Sequence, residues 1–407
     1  MNCRHCKKII NHTFLDLGFA PPSNAYLTKE KLKSPELYFP LKIKVCENCW
    51  LVQTEDYFDP KSLFTSKYAY FSSASSSWLL HAKEYSKNII RYLNLNNKSH
   101  VIEVASNDGY LLKNFITANI PCLGIEPTKS TAIVAENLGI PVIQKFFGET
   151  LGKQINRDGK QADLIIGNNV YAHVPDINDF TKGLKAALKP GGIITLEFPH
   201  LLRLIEKSQF DTIYHEHFSY LSLYTVSRIF AAAELRVFHV EELVTHGGSL
   251  RVYGCHQNDS REKSQSVDEL LKEEFTQNLQ KLKTYNNFKD RVNNIKNDLL
   301  SFLIQQKRSG KKVVAYGAAA KGNTLLNYMG VKPDLISCVF DAAKAKQNQF
   351  MPGSHIPILA PDELKQNNPD FILILPWNIA DEVKSQNSWA IKQGIKFITA
   401  IPKLEIS

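Results

Sequence analysis

No stretch of the 407-residue chain stays apolar for the roughly 18 residues that a membrane span requires, and no run of five basic residues occurs. The first absence excludes a membrane partner. The second turns the net charge of +9 away from nucleic acid and toward a mild attraction for phosphorylated small molecules. Met1 to Ile10 is polar and carries two cysteines where a secretory signal would be apolar, so the expected location is a reducing cytoplasm. The dinucleotide fingerprint G-x-G-x-x-G is also missing. Gly317 to Thr324 approaches a phosphate loop but has Asn323 where the lysine belongs, so nicotinamide chemistry and NTP hydrolysis both drop out. What remains, at 43% hydrophobic and 22% charged, is a globular protein of two or three domains.

Four of the seven cysteines form two CxxC pairs, Cys3/Cys6 and Cys46/Cys49. Two such knuckles present four thiolates, the complement of a tetrahedral structural Zn2+. A closed set leaves no open coordination position, so the metal is assigned to structure. The 39 residues between Cys6 and Cys46 need an inserted hairpin or loop, and Gly18 to Asn24, GFAPPSN, reads as that loop. A Tyr- and Ser-rich stretch follows. In it Tyr68 and Tyr70 alternate as in an extended segment that either lines a pocket or anchors a linker.

Helical spacing runs from Trp78 to Leu95, and His100 to Ala105 then reads as a buried strand. The strand enters a turn, Ser106 to Tyr110, and a helix from Leu111. Strand, small-residue turn and helix make a cofactor crevice at the carboxyl end of a parallel sheet, with Ala105 and Gly109 keeping the turn slim. Glu103 and Asn107 lie in it. A second strand, Cys122 to Ile125, ends at Glu126, 23 residues after Glu103, where an acid can accept both hydroxyls of a ribose. A ribose without a pyrophosphate loop fits S-adenosylmethionine, whose sulfonium and amino-acid end ask for acidic and backbone groups. Further strands at Val142 to Gln144, Asp163 to Gly167 and Ile193 to Glu197 continue the sheet, and Asn168, Asn169 and His173 follow the fourth. Leu250 to Tyr253, introduced by HGGS, closes it.

The densest cluster of proton-handling groups is Phe210 to Tyr220, FDTIYHEHFSY, which holds Tyr214, His215, Glu216 and His217. Histidine titrates near pH 6.5 when unperturbed, so it can take or give a proton at neutrality. The stretch reads as a catalytic loop over the cofactor cleft, against the plainer reading of a polar turn whose histidines cap helices or bind metal. Gln257 to Lys307 reads as connecting helices. Beyond it, a second small α/β layer opens with Gly317-Ala-Ala-Ala-Lys321-Gly322-Asn323 feeding a helix, an anion site suited to a nucleotide-sugar diphosphate.

In order along the chain, the two CxxC pairs, VIEVASNDGYLL, GIEP, NNVYAHVPD, LKPGGIITLEFPHLLRLIE, FDTIYHEHFSYLSL, HGGSLRVY and YGAAAKGNTLLNY resemble the sugar C-methyltransferases that act on nucleotide-linked 4-keto-deoxyhexoses. Ala105 departs from the glycine common in methyltransferases. The resemblance implies a zinc-binding domain (1–75), a Rossmann-like class I methyltransferase sheet (76–256) and a carboxyl-terminal Rossmann-like α/β domain (257–407) that helps hold the nucleotide-sugar. It implies Glu103, Ala105, Asn107, Gly109, Glu126, Asn168 and Asn169 around the cofactor. It also implies His217 as leading base, Tyr214 and Glu216 in a relay or in sugar-hydroxyl contacts, and Tyr68 and His173 in the wall around the ketone. Tyr70, His215, Lys321, Gly322 and Asn323 are expected at the substrate, in a monomer or weak homodimer. Spacing leaves open whether Tyr214 or His217 takes the proton. An O- or N-methyltransferase and an inert binding protein on the same sheet are the competing readings.

Overall fold

A computed structural model describes residues 1–57 and 71–407, so Tyr68 and Tyr70 lie outside the described residues. At the amino end, β1 (His12–Ala20), β2 (Phe39–Val45) and β3 (Val52–Thr54) form an antiparallel sheet. In β2 the apolar Leu41, Ile43 and Val45 alternate with Lys42 and Lys44, the period of a strand with one buried face. The expected Gly18 to Asn24 loop is shorter than its sequence suggests. Gly18 to Ala20 belong to β1, whose pairing is irregular between Asp16 and Phe19, and the loop begins at Pro21.

The central sheet is built from apolar runs short enough to be strands and too uniform to have a wet face. Its parallel members are β4 (Val101–Val104), β5 (Cys122–Ile125), β6 (Val142–Ile143), β7 (Ala162–Asn168) and β8 (Leu188–Pro199). A short strand, β9 (Ser219–Tyr220), leaves this domain and pairs with β3 of the first sheet, Val52 opposite Tyr220. β10 (Leu235–Leu243) and β11 (Ser249–His256) complete the order β10-β11-β8-β7-β4-β5-β6, with β11 antiparallel to β8 and β10 antiparallel to β11. The sheet therefore does not close at Leu250 to Tyr253 as expected. β10 lies beyond, and a register shift between Val237 and His239 hides it by breaking the alternation. Strand order reverses between β4 and β7, which opens a crevice at their carboxyl ends.

The helix Phe288–Arg308 buries Phe288, Val292, Ile295, Leu299, Phe302 and Leu303, one stripe along its length. It leads to β12 (Val313–Tyr316), β13 (Val339–Phe340), β14 (Ile358–Leu359), β15 (Phe371–Ile374), β16 (Lys396–Thr399) and β17 (Glu405–Ile406). Their order is β14-β13-β12-β15-β16-β17, parallel except for β17. One hydrophobic core joins Phe14 and Ile43 of the first sheet, Phe210 and Ile213 of the histidine stretch, and Val313 and Leu373 of the third. The histidine stretch is thus clamped where three domains meet.

Candidate active site

The donor end of the site rises from β4. Ala105 and Asn107 both adopt left-handed backbone, φ +57° and +49°, as glycine does at such turns. Gly109 follows at φ +78°, and a Cβ there would strike Ile140 and Ala135 of the neighbouring helix and loop. The turn is drawn in around three acids. Glu126 accepts from the Asn107 and Thr128 backbone amides at 3.0 and 2.8 Å. Glu103 is buried, with the Tyr110 hydroxyl as a hydrogen-bonding neighbour, and among the described residues Asp108 Oδ1 finds no partner. Burial first, then Asp108 and Glu126, push the Glu103 carboxyl well above the ordinary range. Among the described residues, Ser106 Oγ, both polar atoms of Asn168 and Asn169 Oδ1 are orphaned in the same region. Unsatisfied buried acceptors around concentrated negative charge are costly unless a cationic, donor-rich guest completes them, and S-adenosylmethionine is such a guest. Its site thus fits the residues present.

The facing wall is the histidine stretch. His217 Nδ1 lies 2.9 Å from the Thr212 carbonyl, which can only accept, so Nδ1 carries the hydrogen and Nε2 holds the lone pair. Burial, aided by the nearby His173, holds its pKa well below the usual histidine value. A neutral imidazole with one nitrogen anchored and the other basic is built to accept a proton. The His173 ring packs edge-on at 4.6 Å and Tyr214 tilts over His217 at 3.9 Å. The backbone brings them together, since Phe218 N donates to the Ala172 carbonyl at 2.8 Å, opposing the two segments.

Two neighbours in the motif point elsewhere. His215 Nε2 reaches the Pro40 carbonyl at 3.2 Å and its ring packs edge-on against Phe39, which ties the imidazole to the zinc module. Glu216 accepts from Ser23 Oγ and Asn24 Nδ2, both at 3.1 Å. Glu216, expected in a relay or at the sugar hydroxyls, has both oxygens engaged by the GFAPPSN loop and so also makes an interdomain tie. Asn323 donates to the Ser23 carbonyl at 2.6 Å, and Gly322 is pressed against Leu375. Both contacts hold the helix Ala320–Met329 in place.

Lys321 does face inward. Its ammonium donates to Asn378 Oδ1 at 2.6 Å, rides 4.8 Å over the Trp377 ring, and is close enough to depress His217 electrostatically. Trp377 in turn donates from Nε1 to Asp211 Oδ2 at 2.8 Å, bridging the third sheet to the start of the histidine stretch. Burial pushes the Asp211 carboxyl up to about 6. Beside these residues a cleft of about 520 Å³ opens at the carboxyl ends of β15 and β16, with Ser77 of the central domain on its rim.

The cysteine reading holds at the level of geometry. The four Sγ atoms of Cys3, Cys6, Cys46 and Cys49 lie within 4.8 Å of one another. Each knuckle closes with its next residue left-handed, Lys7 at φ +61° and Trp50 at +62°. Each of those residues donates its amide to the first cysteine of its pair, at 3.1 and 2.8 Å. With sulfurs about 2.3 Å from the ion this cage suits structural zinc. Sequence reading passed over what the cage does: Arg4, inside the first knuckle, donates to Pro175 O and Thr54 O and lies 5.0 Å over the Phe218 ring. An arginine set between two cysteine ligands is the signal the sequence offers.

Residues 3–64 match the family described as a zinc binding domain, 78–240 a methyltransferase domain and 244–402 the C-methyltransferase C-terminal domain. The chain is 32% identical to C-methyltransferase NovU of Streptomyces niveus over 401 residues, 98% of this chain and 95% of that protein. Solved structures align more partially. PH0226 protein from Pyrococcus horikoshii OT3 has 13% identity and a TM-score of 0.36, covering 46% of this chain and 95% of its own. A methyltransferase of Anabaena variabilis ATCC 29413 has 14% identity and a TM-score of 0.34, covering 43% and 84%.

Proposed function

Because the chain belongs to the C-methyltransferase family, and so uses S-adenosylmethionine to methylate carbon, we propose that its acceptor is a nucleotide-linked 4-keto-6-deoxy sugar methylated at C3. The observation that carries the proposal is His217, a neutral imidazole with Nδ1–H fixed on Thr212 and Nε2 left basic. Carbon becomes a nucleophile only when a neighbouring carbonyl acidifies its hydrogen, and a positioned neutral base is what that step needs. His217 takes the proton from C3, while the Tyr214 and His173 rings hold the imidazole in place.

When bound, S-adenosylmethionine supplies the electrophilic methyl. Glu103, Asp108 and Glu126 hold its cationic end and ribose, and Asn107, Asn168 and Asn169 line its site. Lys321, standing over Trp377 beside the cleft of the third sheet, supplies positive charge for a diphosphate, which supports a nucleotide-sugar over a free ketose.

The test is incubation with 4-keto-6-deoxy nucleotide-sugars in deuterated water, with and without S-adenosylmethionine. The expected result is deuterium at C3 without donor and a carbon-bound methyl with it. Inertness toward the sugars, with a free ketone accepted in their place, overturns the substrate.

A further inference from the structure

Near enough to the base to act on it electrostatically, the reversal between β10 and β11 places a second imidazole. The turn Thr245–Gly247 carries His246 at φ +53°, followed by Gly247 at +88° and Gly248 at +131°. A histidine in left-handed backbone is strained, and glycine would sit there without cost. The turn is nevertheless held on every side. The Gly247 carbonyl accepts from Lys207 and Gln209, both at 2.9 Å, and Trp377 packs so closely that no Cβ fits. Thr245 Oγ1 donates to Glu197 Oε1 at 3.0 Å. The ring itself is fixed by Asn169, whose Nδ2 lies 3.0 Å from His246 Nε2, and by Trp78, 5.4 Å away between centroids. An amide nitrogen can only donate, so Nε2 accepts and the hydrogen is on Nδ1. Among the described residues none accepts that hydrogen.

Resting on the reading above, we propose that His246 is a catalytic residue, the electrophile that donates its Nδ1–H to the ketone oxygen of the acceptor. As the C3–H bond breaks, its proton passes to His217 Nε2. The C–H electron pair becomes the C3–C4 double bond, and the carbonyl π pair moves to oxygen. His246 keeps its hydrogen and donates to that oxyanion throughout. Placement favours it over its rivals: His173 packs on the base, and Lys321 donates to Asn378. Burial and the Lys321 charge lower His246 to about 4, so the ring stays neutral at working pH. A neutral imidazole held by fixed partners stabilises a developing enolate without reorganising.

The test pairs His246→Gly, which deletes the donor while relieving the backbone, with His246→Asn, which tolerates left-handed backbone and keeps an N–H. The glycine variant is expected to lose about 10²- to 10³-fold in both C3 deuterium exchange and methyl transfer. Its affinity for S-adenosylmethionine and its Tm should be retained, and His246→Asn should recover at least about tenfold of the loss. Activity of His246→Gly within about threefold of the parent overturns the assignment. Nitrogen-15 NMR of the unliganded protein decides independently of any sugar: a hydrogen on Nδ1 at pH 7 supports the assignment, and one on Nε2 overturns it even if the substrate reading stands. Conversely, a parent enzyme inert to every 4-keto sugar, with the Nδ1 tautomer present, removes the sugar and leaves His246 as the donor to another ketone.

Discussion

The donor and acceptor halves of the site are made in opposite ways. The donor half comes mostly from one βαβ stretch, Val101 to Glu126, joined by Asn168 and Asn169, and among the described residues Ser106, Asp108 and Asn168 carry orphaned buried atoms in it. The acceptor half is gathered from three domains and anchored across them, with His217 on Thr212, Glu216 on Ser23 and Asn24, and Thr324 Oγ1 on Ile213 O at 2.8 Å, although Asp211 Oδ1, Ser219 Oγ and Asn323 Oδ1 are orphaned there among the described residues. A locally built site can wait for its ligand to complete it. A site assembled from distant segments needs the protein to fix its geometry beforehand, and the zinc module does much of that fixing through β3, β9 and Arg4.

Removing one zinc ligand separates the halves most sharply. Structural zinc contributes on the order of 10 kcal/mol to folding such modules, so Cys46→Ser should release the β3–β9 pairing and the Arg4 contact with Phe218. The expected outcome is loss of measurable methyl transfer and of hydrogen-exchange protection over residues 210–220, with protection over 101–110 and donor affinity kept. Parallel loss in both segments would show that the halves are not separable.

His217→Ala should reduce methyl transfer and C3 exchange by about 10²- to 10⁴-fold, again with donor affinity unchanged. Because burial holds His217 well below its usual pKa, the parent rate should not fall between pH 8 and 6 as it would for an exposed imidazole base. Near-parental activity of the alanine variant would move the base to Tyr214.

The donor half predicts the opposite pH behaviour. Glu103 is pushed well above the ordinary carboxyl range, so the free protein retains its proton at pH values where an exposed glutamate is ionised. A cationic ligand favours the carboxylate, so binding releases a proton and affinity rises with pH until the free carboxyl has itself ionised. The slope approaches about tenfold per pH unit below that point. Glu103→Gln should flatten the profile, as read by calorimetry across pH 5 to 8, and a variant that kept the slope would place the titrating group elsewhere.

What could be read in the sequence follows the same division. Glu103, Asn107, Gly109 and Glu126 lie on or just past the ends of two neighbouring strands, so a parallel sheet dictates their meeting. The histidines could be seen as a cluster, but His215 and Glu216 turn toward Pro40 and Ser23, partners 175 and 193 residues away. No short-range periodicity encodes such contacts. His246 was passed over for a related reason: HGGS reads as a flexible approach to a strand, and only the placement of Asn169, 77 residues earlier, makes it part of a site. β10 was missed because its bulge breaks the alternation that marks a strand.

The smallest effect concerns the residue that departs from the methyltransferase pattern. Ala105 sits at φ +57°, a conformation that costs an L-residue about 1–2 kcal/mol. Glycine removes that strain but adds about 0.5–1 kcal/mol of unfolded-state freedom, so the two effects oppose and the strain term is larger. Ala105→Gly should therefore stabilise the protein by under about 1 kcal/mol, a Tm rise of about 1–3 °C by calorimetry. Donor affinity should change by less than about twofold, because the backbone already follows the path glycine would take. A fall in Tm would mean that the alanine methyl is held by the turn, and the donor half would then share the dense fixing of the acceptor half.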